Sequence, residues 1–151
     1  IAGVYVDEEV GLVNVYCHDL NGDLSTDLQT QVTNVLQDYK PAGIPLKVLP
    51  IVKREISLSA TVTLVNKSLI TTSMQTAIEG YIQRYLDSRT VAQDVVLSDL
   101  IQLVKNIDTQ NIYDVSITAI TDSVDGVLPI ANVVTASDEL IRSNVITVTL
   151  Q

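Results

Sequence analysis

Apolar residues alternate with polar ones in four segments of the chain, and this period of two predicts β-strands. The strand segments are residues 11–18, 56–64, 112–121 and 144–150. In the second segment one face is apolar and the other consists only of Ser and Thr. A fifth, short extended segment lies between Pro45 and Pro50. We expect it to be an edge strand or a linker, because proline has no N–H to donate to a sheet.

Apolar residues at spacings of three and four predict three amphipathic helices. The predicted helices cover residues 25–39, 72–87 and 98–107. The first follows an Asn-Gly turn, and Asp23 or Ser25 can cap it. The second begins with a capping-box pattern in Thr72 and Gln75, and Ser98 can cap the third.

The order of these elements predicts an α+β fold. We expect a two-layer sandwich with a mixed β-sheet and about three helices on one face. The first crossover is long enough to join parallel neighbouring strands. We predict one domain over residues 1–151, with residues 1–10 as a leader or linker and 122–143 as a loop or subdomain insertion. Position 1 is Ile and not Met, so we expect a C-terminal fragment of a longer protein.

The composition limits the chemistry that the chain can carry. The protein has 151 residues, of which 46% are hydrophobic, but it has no Trp or Phe, so the core must be aliphatic. A single Cys and a single His leave little material for a nucleophile or a metal site. Cys17 should be a buried small side chain, and His18 should be a strand-end residue. We therefore predict no enzyme activity, catalytic residue, cofactor or metal.

The net charge of −9 argues against binding to nucleic acid or to an anionic membrane, because phosphate contacts need Lys and Arg. Residues 1–39 contain seven acids and no Lys or Arg. Residues 40–67 contain five bases and one acid. Such polarity can steer association between oppositely charged surfaces, although a solvated surface with chance clustering explains it more simply.

Two sets of residues are candidate sites. The acids of residues 18–27 imitate the start of a calcium loop, but Gly22 and Leu24 stand at the wrong positions and Thr30 replaces the expected Glu. A turn followed by a capped helix explains the same residues. The second set is a candidate protein interface, comprising Lys53, Arg54, Ser57, Ser59, Thr61 and Thr63. We expect reversal of the charges at Lys53 and Arg54 to leave the fold intact but to block assembly.

A resemblance to a known family covers nearly the whole chain. Its clearest part is a strand in residues 11–16, the Asn-Gly turn and cap at 19–25, a helix, and the segments 39–44 and 46–50. A later part is Asp94 to Ile101. These motifs resemble the C-terminal region of the baseplate J-like family, the tail baseplate wedge proteins of contractile-tailed phages and related injection machines. The chain departs from the family's glycines at three turns, which contain Gln93, Asn111 and Ser143-Asn144.

The resemblance implies a structural role without catalysis. It implies other wedge subunits and tail hub or sheath proteins as partners, with no nucleic acid and no membrane, in a ring-shaped homo- or hetero-oligomer. The location would be the tail baseplate of the virion, after assembly in the cytoplasm of the bacterial host. The alternative is a small-ligand or calcium-binding α+β domain that uses the turn at residues 18–27.

Overall fold

The secondary structure consists of three α-helices, a short 3₁₀ helix and seven strands, in a computed structural model that describes all 151 residues. In chain order the elements are β1 (Gly3–Glu9), β2 (Leu12–His18), α1 (Thr26–Tyr39), β3 (Leu46–Pro50), β4 (Val52–Leu64), the 3₁₀ helix (Lys67–Leu69), α2 (Thr72–Asp87), α3 (Leu97–Lys105), β5 (Ile112–Asp122), β6 (Gly126–Leu128) and β7 (Glu139–Leu150). The predicted α+β class is confirmed. The strands form two mixed sheets, one of three strands and one of four.

The chain forms two compact units. Unit 1 comprises residues 1–53, 90–92 and 135–140, and unit 2 comprises residues 54–89, 93–134 and 141–151. Each unit contains one of the two sheets and at least one helix. The prediction that residues 1–151 fold as one domain stays a prediction, since two compact units can unfold together.

Unit 1 contains the sheet with strand order β1-β2-β3. β1 pairs with β2 in antiparallel orientation, and β2 pairs with β3 in parallel orientation, which is the arrangement expected for the crossover through α1. The prediction of a leader over residues 1–10 is corrected, because Gly3–Glu9 form β1. Val4 and Val6 alternate there with Tyr5 and Asp7, but the acids that follow end the pattern after only two apolar positions.

The beginning and the end of α1 agree with the sequence. The Ser25 Oγ accepts a hydrogen bond of 3.2 Å from the N–H of Leu28, so Ser25 is the N-cap. The residue after the helix, Lys40, donates its N–H to the carbonyl of Leu36. Pro41 follows, and the backbone of a residue before proline is driven away from the helical region.

Unit 2 contains the sheet with strand order β6-β5-β4-β7. β4 pairs with β5 in antiparallel orientation, with two irregularities in register, and β5 turns back into β6 through a hairpin. β4 and β7 run parallel. The Gln151 N–H donates to the Val62 carbonyl at 3.0 Å, and the Gln151 carbonyl accepts from the Leu64 N–H at 2.8 Å. In a parallel pair, one residue bonds to two residues of the neighbouring strand that are two positions apart, as Gln151 does here.

The core of unit 2 lies between the apolar face of β4 and helices α2 and α3. The five apolar positions from Ile56 to Leu64 are all buried, as the alternation predicts. They pack with side chains from the other elements of the unit, which include Ile78, Ile82, Leu86, Leu100, Val104, Val115, Ile120 and Val148. The core is aliphatic except for Tyr85, whose hydroxyl hydrogen-bonds to the backbone of Val96.

The N-cap of helix α2 lies one residue earlier than the capping box predicts. The Oγ1 of Thr71 accepts a 3.1 Å hydrogen bond from the N–H of Met74, so Thr71 and not Thr72 is the N-cap. Gln75 bonds instead to Glu79, one turn later in the helix. The helix itself covers residues 72–87 as predicted.

Helix α3 begins without a local side-chain cap. The predicted cap, Ser98, lies inside the helix, and the residue at the cap position is Val96. The N–H of Leu97 instead donates to the Oδ1 of Asn132 at 2.9 Å. A residue far along the chain therefore satisfies one of the free N–H groups at this helix end.

The segment 122–143, predicted as a loop or a subdomain insertion, contains β6 and the first residues of β7. Gly126, the first residue of β6, has a φ of +76° at the hairpin turn. Glycine adopts this positive φ at little cost because it has no Cβ. Farther on, Val133 forms an isolated antiparallel bridge with Val95.

Candidate functional site

The outer face of β4 is a row of hydroxyl side chains. Ser57, Ser59, Thr61 and Thr63 are half-buried and alternate with the buried apolar residues of the same strand. Because β4 lies between β5 and β7, this row is at the middle of the four-stranded sheet. The structure therefore brings together four of the six residues predicted as an interface.

The neighbouring strands extend the hydroxyl row into a surface, which we call the hydroxyl face. Pairing with β5 places Thr121 opposite Ser57, Ala119 opposite Ser59, Ser116 opposite Thr61 and Asp114 opposite Thr63. On β7, the exposed Thr147 and Thr149 alternate with buried Val148. The N–H of Val145 donates to the Oγ of Ser57 at 3.3 Å.

The residues from β5 and β7 were not among those predicted from the sequence. Their alternation is visible in residues 112–121 and 144–150, but the pairing of these strands with β4 is not. The β4–β7 pair joins residues 88 positions apart, as in the side-chain bond from Gln151 to Thr63. Periodicity shows which residues share a face of one strand, whereas only the fold shows which strands are neighbours.

The chemistry of the hydroxyl face suits contact with a protein surface. From the Ser57 pair to the Thr61 pair, β4 and β5 contribute only Ser, Thr and Ala. Hydroxyl groups can both donate and accept hydrogen bonds. Short side chains lose little conformational entropy when they become buried in an interface, and this uncharged part of the face avoids the cost of desolvating ions.

Lys53 belongs to unit 1 and has an acidic partner there. Its Nζ lies 2.9 Å from the Oδ1 of Asp23, and both side chains are partly exposed. This pair connects the start of β4 to the turn that precedes α1. As an exposed ion pair it contributes at most about 1 kcal/mol to the free energy of unfolding. The role of Lys53 in an interface stays a prediction.

Arg54 is removed from the candidate interface, because it is only 5% exposed. Its Nε donates to the Oδ2 of Asp122 at 2.6 Å, and its Nη2 contacts Asp122 and, at 3.0 Å, Asp125. Its Nη1 donates to the carbonyl of Val134 at 3.0 Å. Alternation along β4 directs Arg54 to the same side as buried Ile56, away from the hydroxyl face.

The burial of Arg54 also changes the expected effect of charge reversal. A glutamate at this position would add a third carboxylate beside Asp122 and Asp125 in a buried site. Like charges in such a site are strongly unfavourable. We therefore no longer expect the fold to survive reversal of both Lys53 and Arg54.

The turn at residues 18–27 is held by its own acidic side chain. The Oδ1 of Asp19 accepts from the N–H groups of Asn21 and Asp23, at 2.8 Å and 2.9 Å. The hydrogen bond from the Asp23 backbone is the largest cause that lowers the pKa of Asp19, although desolvation opposes the shift. Gly22 takes the positive φ of +84° that the turn requires. These contacts favour the turn over the calcium loop as the explanation of this segment.

Cys17 and His18 occupy the end of β2, and both are buried. Burial raises the pKa of the Cys17 thiol, so the thiol is a poor nucleophile. The Nδ1 of His18 lies 2.6 Å from the carbonyl of Asp19. The chain contains no group of three or more His, Cys, Asp or Glu side chains that could hold a metal ion.

A scan against models of protein families finds no match to this chain, and a search of curated proteins finds none either. None of the helices combines the length and the apolar character that a membrane span requires.

Proposed function

We propose that this chain is a structural assembly module of a baseplate wedge, in a contractile phage tail or a related injection machine. The observation that carries the proposal is the resemblance of the chain to the C-terminal region of the baseplate J-like family. Its clearest part, residues 11–50, forms the consecutive elements β2, α1 and β3. The turn and the helix cap that belong to the motif are formed by Asp19 and Ser25.

In this proposal the chain binds other proteins and performs no catalysis. Its partners are neighbouring wedge subunits and tail hub or sheath proteins, in a ring-shaped assembly. The place of action is the tail baseplate of the virion, with assembly in the bacterial cytoplasm. The aliphatic core of unit 2 supplies a stable support for such contacts.

The hydroxyl face is the surface that we assign to these contacts. A lysine in the middle of it would place an ammonium group in the interface, and burial of an unpaired charge is costly. We expect the double variant S59K/T61K to fold but to reduce the yield of assembled particles by about tenfold or more, equivalent to about 1.4 kcal/mol. Circular dichroism and thermal melting check the fold, and electron microscopy counts the particles.

The control is the double variant T76K/Q83K, which adds the same two charges at exposed positions of α2. It should assemble at the wild-type yield. Normal particle yields from the folded S59K/T61K variant would contradict the assignment of this face.

A further inference from the structure

Unit 1 contains a sheet whose helix layer is incomplete. The Nε2 of Gln29 on α1 donates to the carbonyl of Val48 on β3 at 2.8 Å, which places the helix near the β3 side of the sheet. β1 is the opposite edge strand. Its Val4 and Val6 are 52% and 50% exposed, although they lie on the side of the sheet that faces α1. No residue of α1 is fully buried.

An apolar groove of about 390 Å³ lies between α1 and β1. The groove is lined by Gln31 of α1, by Ile1, and by six further apolar residues, Val4, Val15, Leu28, Val32, Val35 and Leu36. Val35 is 58% exposed, which is unusual for the apolar stripe of a helix that packs on a sheet. The groove therefore exposes apolar surface that is suited to burial against a partner.

The width of the sheet indicates which kind of element fits the groove. Neighbouring strands lie roughly 4.8 Å apart, and a helix with its side chains is about 10–12 Å wide. One helix thus covers about two strands, and a second helix can lie roughly 8–10 Å from α1, above β1. A strand added to the edge of β1 would extend the sheet but would leave Val4, Val6 and Val35 uncovered.

The charge around the groove indicates the chemistry of the partner. Asp27 and Asp38 lie on the stripe of α1 that contains the groove residue Gln31, at helical spacings from it. Glu8 follows Val4 and Val6 on the same side of β1. All three carboxylates are exposed, and residues 1–39 contain no Lys or Arg. A second copy of the chain is disfavoured, because each copy has a net charge of −9.

We infer that this groove binds a basic amphipathic helix of another protein. The apolar stripe of that helix would cover Val4 and Val35, and its Lys or Arg side chains would meet Glu8, Asp27 and Asp38. The inference rests on the geometry and charge of unit 1 and does not depend on the baseplate proposal.

The test uses a synthetic 18-residue peptide that has Leu on one helical face and Lys on the other. We expect it to bind the 151-residue chain and to gain helical circular dichroism on binding. The variant V4S/V35S should weaken binding by about tenfold or more, because it removes apolar contacts from the groove. The variant E8K/D38K should weaken binding to a similar extent and reduce its dependence on salt, because it removes the attraction to Lys.

Two matched controls change equivalent exposed residues elsewhere, in unit 2. V127S/V145S removes two exposed valines and D99K/D114K reverses two exposed charges, and both should bind the peptide as the wild type does. Thermal melting confirms that every variant is folded. Equal binding of a scrambled peptide, or binding without a gain in helix, would overturn the inference. So would the absence of binding, or self-association of the chain through the groove in sedimentation.

Discussion

Arg54 is the residue whose role changes most between sequence and structure. Its guanidinium is buried with the carboxylate of Asp122, which is only 6% exposed. Replacing Arg54 with Met would leave that carboxylate buried without its main partner. We expect Arg54→Met to lower the free energy of unfolding by roughly 3–5 kcal/mol, measured by urea denaturation.

Asp125 provides the control for this prediction, because it contacts the same guanidinium from an exposed position. Its side chain is 58% exposed, so Asp125→Asn should cost less than about 1 kcal/mol. Equal decreases in the free energy of unfolding for Arg54→Met and Asp125→Asn would contradict the prediction that the buried Arg54–Asp122 pair stabilises the protein more than the exposed contact does.

Asp19 should make the stability of the protein depend on pH in the acid range. Its pKa is lowered in the folded chain, chiefly by the hydrogen bond from the Asp23 N–H. A lowered folded pKa stabilises the protein at pH values above the unfolded pKa of about 3.9, and this contribution is lost as the pH falls below it. Asp19→Asn keeps an acceptor oxygen but removes the charge.

We therefore expect Asp19→Asn to be less stable than the wild type near pH 7, with a difference that shrinks as the pH falls below about 4. Denaturant titrations at several pH values measure this difference. A difference that stays constant down to acid pH would contradict the role of the ionised carboxylate.

The alternation in β4 could predict on which side of the strand each residue lies. The alternation correctly places Ser57, Ser59, Thr61 and Thr63 opposite the buried residues. Extending the same alternation back by two positions puts Arg54 on the buried side, which the clustering of positive charge obscured. The partners of Arg54 lie 68 and 71 residues away along the chain, and no local pattern indicates them.

At the scale of elements, adjacent threonines test where α2 begins. The Thr71 hydroxyl accepts the hydrogen bond of the N-cap, whereas Thr72 is the first residue of the helix. We expect Thr71→Ala to lower the free energy of unfolding by about 1 kcal/mol. Thr72→Ala should have a much smaller effect, because it removes no capping contact. Chemical denaturation measures both, and a larger loss for Thr72→Ala would support the capping box instead.

Most elements could be predicted because their periodicity is long and regular. The ranges of α1 and α2 and the core of β4 agree with the patterns that predict them. β1 was missed because its alternation is short and ends in acids. The start of α3 was misplaced because the group that bonds to Leu97 is on Asn132, 35 residues away.

At the scale of the whole molecule, the class of fold could be predicted but the division of its strands could not. The sequence predicted one mixed sheet, whereas the strands form two. The division depends on pairings such as β4 with β7, which join distant parts of the chain. The hydroxyl face depends on the same pairings. Its β4 row was predictable, whereas its width was not.

The central claim is that the chain is an assembly part of a tail baseplate. The most direct test is electron microscopy of the full-length protein together with its partners in assembled particles. The claim predicts density that fits the fold of this chain, repeated in a ring at the end of the tail. Tails that assemble completely without the protein, or density for it outside the baseplate, would contradict the claim.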